Sequence, residues 1–234
     1  MTERKPRLLD LFCGAGGCTK GYQRAGFYVV GVDKNPQSNY CGNEFIQGDV
    51  FELWPSLTRH GWGVFYDAIH ASPPCQAYAG LSSKDGRHPK LIEPTRKLLQ
   101  STGLPYVIEN IQDARHALID PIRICGSVFG LHVRRHRLFE SNLPLSGTEC
   151  RHKGQEIRAY YGKPRWLAWE PKGAQVQREG RKPLLRGSVE QAPKDMGIDW
   201  MTWDELRESI PPAYTEFVGL QVRQYLLTQL AVAA

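Results

Sequence analysis

Two side chains that could share one reaction lie in the middle of this chain. Cys75 follows two prolines in the segment Pro73-Pro-Cys-Gln76, and Glu109 comes thirty-four residues later, just before Asn110. A thiolate that adds to C6 of a pyrimidine ring converts the ring to an enamine and makes C5 nucleophilic. A nearby glutamate that is protonated, or shares a proton with ring N3, can hold the ring edge and stabilise the adduct. A free cysteine is often only a small buried hydrophobic residue, but a position directly after Pro-Pro, where the chain turns out of a strand, favours catalysis.

A glycine-rich turn near the N-terminus could hold a nucleotide-like cofactor. Residues 10–17 read DLFCGAGG, so that an apolar strand runs into Gly14 and Gly16, where the backbone can approach a ligand closely. Asp33, at the end of the second predicted strand, suits a ribose diol, and Asp49, after the third, can accept a hydrogen bond from an adenine amino group. Both acids could otherwise be ordinary turn residues. NAD would fit the turn and Asp33 equally well, but it would not call for the thiol and the glutamate further on.

The elements that must position these residues alternate along the chain. Short apolar strands are predicted at 8–12, 28–32, 45–47, 67–71, 106–109 and 137–139, with helices at 18–25 and 92–101. Such alternation is typical of an α/β protein with a doubly wound, mostly parallel sheet, in which ligands bind at the carboxyl ends of the strands. Because each candidate residue lies at such an end, the sequence predicts a Rossmann-like sheet that brings them together.

Residues 140–208 interrupt the alternation and are rich in glycine, proline and charge. The pattern Thr202-Trp-Asp-Glu205 predicts a capping box that begins a short helix, and Pro211-Pro212 is expected to end it. Apolar spacing over 216–230 predicts a final helix that packs back on the sheet. The predicted division is a cofactor-binding catalytic domain of residues 1–139 and 209–234 and a small basic insert of residues 140–208.

Positive charge is concentrated in this insert. The whole chain carries a net charge of +6 with a pI of about 9.0, whereas residues 151–187 contain ten Lys or Arg and only three acids, with Tyr and Trp among them. Cations neutralise phosphates and aromatic rings stack on bases. A solvated loop with a few buried aromatic residues is the alternative interpretation, but it does not explain the local charge asymmetry. The predicted nucleic-acid contacts here are Arg158, Lys163, Arg165 and Trp166.

Composition argues against several other classes of protein. No apolar run approaches the ~20 residues needed to span a bilayer, and the N-terminal MTERKPRLLD lacks the apolar stretch of a signal peptide, so a cytoplasmic protein with no membrane partner is expected. Six cysteines lie at 13, 18, 41, 75, 125 and 150, without a pairing pattern. Cys150-Arg-His152 could be half of a metal site, but no second pair lies at a suitable spacing, so no metal is predicted.

The glycine-rich turn, the Pro-Pro-Cys turn and Glu109-Asn110, in this order, resemble the cytosine-C5 methyltransferase family, which uses S-adenosylmethionine. The resemblance covers roughly residues 8–139 well and the C-terminus weakly. It implies a class I methyltransferase fold and methyl transfer, through a covalent Cys75–C6 adduct, to a cytosine flipped out of double-stranded DNA. The residues that fall where the family contacts its cofactor are Phe12, Gly14, Gly16, Asp33, Asp49 and Pro74.

Two further segments resemble functional parts of this family. Arg135-His-Arg137 resembles its two-arginine motif, in which the arginines steady the pyrimidine carbonyl and the catalytic site, although the family's preceding glutamine is Val133 here. A solvated basic strand end is the alternative interpretation of these arginines. Residues 76–90 resemble the mobile loop that closes over the flipped base. The candidate nucleic-acid contacts in that loop are Gln76 and Ser82.

Target recognition is where the sequence leaves most alternatives open. About 70 residues are available in the insert, so short or relaxed sequence specificity is expected. The alternatives are a tRNA methyltransferase on the same scaffold, transfer of a bulkier group from a modified S-adenosylmethionine, and an inactive nucleic-acid-binding homologue. RNA-modifying members usually carry a Cys-Phe-Thr element that is not found here, and the intact Cys75 and Glu109 argue against an inactive protein. A monomer in a bacterial or phage-infected cell is the expected setting.

Overall fold

A computed structural model describes residues 4–58, 65–80, 87–155, 157–160 and 185–233. Seven strands form the main sheet. They are β1 (Arg7–Leu11), β2 (Tyr28–Asp33), β3 (Glu44–Gln47), β4 (Ala68–Ala71), β5 (Tyr106–Ile111), β6 (Ile122–Ile124) and β7 (Arg137–Ser141). The α-helices within the described residues are α1 (Gly17–Arg24), α2 (Val50–Thr58), α3 (Ile92–Gln100), α4 (Ala192–Met196), α5 (Trp203–Glu208) and α6 (Pro212–Ala233).

The strands of the main sheet lie in the order β3-β2-β1-β4-β5-β7-β6. The first five are parallel, whereas β7 inserts antiparallel between β5 and β6. The strand order reverses between β1 and β4, so a crevice opens at the carboxyl ends of these two neighbours. The predicted doubly wound, mostly parallel α/β sheet is confirmed.

Apolar residues cover both faces of the sheet, as expected for buried parallel strands. Successive side chains of a strand point to opposite faces, so Leu9 and Leu11 pack with α2 and α3, whereas Leu8 packs with α1 and α6. The pattern explains why β1 and β2 read as nearly continuous apolar runs. Among the described residues, no helix combines the length and the apolar character needed to cross a bilayer.

Helices α1 and α6 approach each other closely on one face. A Cβ atom at Gly21 would lie 2.1 Å from Oγ1 of Thr215 and 2.2 Å from the carbonyl oxygen of Pro212, so only glycine fits there. Thr215 also donates a hydrogen bond to the carbonyl of Cys18 at 2.8 Å. The first turn of α6 therefore anchors the C-terminal segment to the helix that follows the glycine-rich turn.

The ends of the last two helices correct one sequence expectation. The capping box at Thr202 and Glu205 is present and begins α5. The prediction that Pro211-Pro212 ends this helix is wrong, because α5 stops at Glu208 and Pro212 is instead the first residue of α6. Proline is well suited to the first position of a helix, where its missing N–H has no intrahelical partner to lose.

A third, small hydrophobic core includes residues of the predicted insert. Tyr160, Met196 and Leu206 are buried together with Val133, which comes from the segment before β7. A two-stranded parallel sheet of β8 (Arg158–Ala159) and β9 (Leu185–Arg186) adjoins them in sequence. This core is therefore joined to the main sheet through the same segment that carries Arg135 and Arg137.

Candidate active site

The glycine-rich turn is bent into a cradle at the end of β1. Phe12 and Gly14 both have left-handed backbones, with φ of 58° and 50°. The Asp33 carboxylate accepts hydrogen bonds from the Gly14 N–H at 3.0 Å and from the Asn35 N–H at 2.9 Å. Each carboxylate oxygen has a second lone pair, so the same group can still accept from a ligand's diol.

The space around the glycines fits a bound cofactor at this turn. An added Cβ at Gly16 would lie 2.7 Å from Cys41 Sγ, so this glycine is needed for packing. Nothing lies within 4 Å of an added Cβ at Gly14, whose positive φ is strained for other residues. An open space beside a left-handed backbone is where a ligand can approach the chain closely.

The sheet order brings the other predicted cofactor residues to the same edge. Asp49 follows β3, and its Oδ1 accepts the Phe51 N–H at the start of α2 at 2.8 Å. The ring of Phe51 lies 6.4 Å from that of Phe12, centroid to centroid. Pro74 follows β4, which pairs with β1, and the Ser72 N–H donates to the Leu11 carbonyl at 3.1 Å. All six predicted cofactor residues therefore follow or end β1 to β4.

Cys75 lies half-buried in the turn after β4. Its carbonyl accepts the N–H groups of Tyr78 at 2.9 Å and Ala79 at 3.1 Å, and Asn110 ties the turn to β5 through a 2.8 Å hydrogen bond to the Pro73 carbonyl. Burial raises the pKa of the Cys75 thiol, while the nearby Arg137 opposes the shift. The thiol is therefore mostly protonated at rest, and it must lose its proton to attack a ring.

Glu109 is buried, with only 6% of its surface exposed. It lies on β5 opposite Phe139 of β7, and its Oε1 is 3.1 Å from Nε of Arg137, which begins that antiparallel strand. Burial raises the pKa of the Glu109 carboxyl, whereas Arg137 and a hydrogen bond from Ser72 lower it. Because burial raises its pKa while Arg137 and Ser72 lower it, the Glu109 carboxyl can supply or share a proton at a substrate nitrogen.

A buried hydrogen-bond chain behind Glu109 was not predicted from the sequence. His70 contacts the Tyr22 hydroxyl through Nδ1 at 3.0 Å and the Ser72 hydroxyl through Nε2 at 2.9 Å. Burial lowers the pKa of His70 to about 3, so the ring is neutral, with one donor and one acceptor nitrogen. When the Ser72 hydroxyl donates to an ionised Glu109, it accepts from Nε2–H of His70, and the Tyr22 hydroxyl then donates to Nδ1. The chain fixes the orientation of the Glu109 carboxyl.

The two predicted catalytic arginines flank the same carboxyl. Arg135 has a φ of 34°, a left-handed conformation that is unusual for this residue type. The Arg135 side chain donates to the Arg207 carbonyl, and the Arg135 carbonyl accepts from the Tyr214 hydroxyl at 3.1 Å. Burial and the charge of Arg137 lower the pKa of Arg135 to about 9. Its Nε atom is buried and has no hydrogen-bond partner among the residues that the structure describes.

Val133 occupies the position where a glutamine was expected. Its side chain is only 2% exposed and packs in the core of the insert with Tyr160 and Met196. An apolar residue therefore suits this site, because an amide would be buried among hydrophobic neighbours. The loop of Arg135 and Arg137 is thus held by packing against the insert.

The predicted nucleic-acid contacts are only partly within the described residues. Gln76 is exposed directly after Cys75, which suits a contact with substrate. Arg158 has a different setting, because its Nη1 lies 2.8 Å from Oδ2 of the buried Asp195 and its side chain is 17% exposed. Its charge is already balanced inside the insert, so its surroundings do not support the predicted phosphate contact. The remaining predicted contacts lie outside the described residues: Ser82, Lys163, Arg165 and Trp166.

Comparison with known proteins adds a family match to this geometry. Residues 6–110 match the model of the C-5 cytosine-specific DNA methylases. Among curated proteins, the Type II methyltransferase M1.HphI of Haemophilus parahaemolyticus is 33% identical over 87 residues, which are 34% of this chain and 23% of that relative. The match thus spans less than a quarter of the relative's length.

Solved structures with the same fold cover nearly the whole chain. A candidate DNA modification methyltransferase encoded within a prophage (E. coli) has a TM-score of 0.60 at 15% identity and covers 96% of this chain and 100% of its own. Entamoeba histolytica methyltransferase EhMeth has a TM-score of 0.57 at 16% identity, over 97% and 99% of the two chains. For S. pombe Dnmt2 methyltransferase the TM-score is 0.54 at 16% identity, over 95% and 99%. At these identities the likeness shows the class I methyltransferase fold.

Proposed function

We propose that the protein methylates C5 of cytosine in DNA, because residues 6–110 match the model of the C-5 cytosine-specific DNA methylases, a family whose cofactor is S-adenosylmethionine. The observation that carries the proposal is the convergence of Cys75, Glu109 and Arg137 beside the glycine-rich turn. Arg137 pairs with Glu109 at 3.1 Å, and its charge lowers the pKa of the Cys75 thiol against the effect of burial.

The residues of the cradle would hold the cofactor at the ends of β1 to β4. Asp33 would accept from the ribose hydroxyls and Asp49 from the adenine amino group, while the open space beside Gly14 admits the ligand to the backbone. When bound, the cofactor supplies an electrophilic methyl group. Pro74 would lie between the cofactor and the thiol, since it directly precedes Cys75.

Each protein side chain then has one task in the reaction. The Cys75 thiolate forms a bond to C6, and the electron pair of the C5–C6 double bond becomes available at C5. Glu109 holds a proton at N3, which spreads the negative charge of the adduct, and Arg135 and Arg137 donate toward the ring carbonyl. After methylation a base removes the C5 proton, the double bond reforms and Cys75 leaves as thiolate.

The raised pKa values of Cys75 and Glu109 agree with the proposed roles of nucleophile and proton donor. Burial raises the pKa of both Cys75 and Glu109, so a thiolate forms only when a substrate or base accepts the proton. Glu109 is correspondingly inclined to keep a proton that it can place on N3. The charge of an ionised Glu109 also raises the pKa of the Cys75 thiol.

The test is methyl transfer from tritiated S-adenosylmethionine to duplex DNA and, in parallel, to tRNA, followed by mass spectrometry of the nucleosides. The proposal predicts label in 5-methyl-2′-deoxycytidine and its loss in Cys75→Ser. Label only in 5-methylcytidine from tRNA would assign the substrate to RNA. Cofactor binding without transfer to either nucleic acid would contradict the proposed activity.

A further inference from the structure

Four side chains with metal-binding atoms meet beside the two-arginine loop. Cys125, His136, Cys150 and His152 place one sulfur or nitrogen atom each within 4.8 Å of all the others. Sγ of Cys125 lies 3.3 Å from Nε2 of His152, and Sγ of Cys150 lies 3.3 Å from Nε2 of His136. The second pair that the sequence spacing failed to show is therefore present in space.

The four residues come from three separate segments, which is why no spacing links them. Cys125 follows β6 and precedes the short 3-10 helix Gly126–Phe129, whereas His136 directly precedes β7. Only Cys150 and His152 are close in sequence. The antiparallel pairing of β6 with β7 brings the first two together, and the segment after β7 returns to complete the cluster.

We propose that these four side chains form a tetrahedral Cys2His2 zinc site. Zinc binds cysteine sulfur at about 2.3 Å and histidine nitrogen at about 2.0–2.1 Å, so neighbouring ligand atoms of a tetrahedron lie roughly 3.3–3.8 Å apart. The two 3.3 Å contacts between sulfur and nitrogen already match that spacing. Two thiolates would balance the charge of the ion, and the combination of two sulfur and two nitrogen ligands suits zinc among the common divalent metals.

The backbone around the cluster is held in place by contacts that do not need an ion. The Cys125 N–H donates to Oγ1 of Thr148 at 3.2 Å, and the Ser127 hydroxyl lies 3.1 Å from Cys125 Sγ. The same hydroxyl accepts the Arg151 N–H at 2.9 Å. The turn after β6 is thereby joined to the segment that carries Cys150 and His152. Such supporting hydrogen bonds orient the ligands of metal sites.

The position of His136 gives the site a consequence for catalysis. His136 lies between Arg135, whose left-handed backbone is costly for a residue other than glycine, and Arg137, which pairs with Glu109. An ion bound to His136 and to the segment of Cys150 would hold this loop in the conformation that presents both arginines. The ion would therefore be structural, and its binding does not depend on the proposed methyl transfer.

Metal analysis of the purified protein tests the proposal directly. The full chain, purified without a metal-affinity step, is expected to contain about one zinc ion per chain, as measured by inductively coupled plasma mass spectrometry. Cys150→Ser and His152→Asn should each lower the content to below about a tenth of that value. Matched controls outside the cluster, Cys41→Ser and His116→Asn, should keep the full content.

A second measurement on the unchanged sequence keeps the proposal falsifiable if the variants fail to fold. Replacing the zinc with cobalt should give the visible bands of a tetrahedral ion together with thiolate-to-cobalt charge transfer. Wild-type protein that carries no zinc, and that takes up neither zinc nor cobalt when reconstituted under reducing conditions, would overturn the proposal. Metal that persists in both cluster variants would place the ion elsewhere and would overturn it equally.

Discussion

Replacing Asp33 by asparagine is expected to weaken the binding of S-adenosylmethionine about tenfold to a hundredfold. The Asp33 carboxylate accepts from both the Gly14 and the Asn35 N–H groups, at 3.0 and 2.9 Å. Asparagine offers one acceptor oxygen and an amide nitrogen that cannot accept, so one contact and the charge are lost. A hydrogen bond to a charged group contributes about 1.5–3 kcal/mol, and each 1.4 kcal/mol changes affinity about tenfold.

Isothermal titration calorimetry without DNA measures this loss, and a thermal unfolding curve verifies that the variant is folded. Asp67→Asn is a matched control, because Asp67 accepts the Arg7 N–H at 2.7 Å just before β4, at the opposite end of the strands. Its cofactor affinity should equal that of the wild type. Unchanged affinity in Asp33→Asn would refute the placement of the cofactor at the end of β2. An equal loss in both variants would point to general destabilisation instead.

Three further outcomes are expected. Gly21→Ala should lower the free energy of unfolding, measured in denaturant, by about 1–3 kcal/mol, because the new Cβ would clash with Thr215. Unchanged stability would contradict the close contact between α1 and α6. Burial lowers the pKa of His70 to about 3, so protonation favours the unfolded chain, and stability is lost as pH falls below about 6.5. Between pH 7 and 5 the wild type should lose about 2 kcal/mol more than His70→Gln; parallel curves would contradict this. Changing Lys163 and Arg165 together to glutamine should flatten the log–log salt dependence of DNA binding by up to about 2 units; an unchanged slope would place the DNA-binding surface elsewhere.

The parallel strands were predictable because each is a short apolar run that ends in turn residues. β1 to β5 begin and end within about two residues of the predicted runs. The helix α2 was not predicted, since Pro55 lies inside it and proline usually interrupts a helix. β6 has only three residues, which are too few to reveal an alternation of apolar and polar side chains. Its position beside β7 depends on tertiary contacts.

Some residues of the candidate site could be predicted from their neighbours in sequence, whereas others depend on contacts between distant segments. Cys75 and Glu109 could be predicted because a thiol directly after Pro-Pro and a glutamate at a strand end are recognisable from the sequence alone. The roles of His70 and Ser72 could not be predicted, because they depend on how β4 packs against α1 and β5. Arg158 looked like a solvated cation because its partner, Asp195, lies thirty-seven residues away in sequence.

Trapping with 5-fluorocytosine tests the central claim most directly. Fluorine at C5 prevents the final proton removal, so a duplex with this base should form an adduct with the protein that survives denaturation. The account predicts a band of protein plus DNA that requires S-adenosylmethionine and is absent in Cys75→Ser, with peptide mapping that places the bond on Cys75. Methylation of ordinary cytosine without any such adduct, or an adduct on another residue, would contradict Cys75 as the nucleophile.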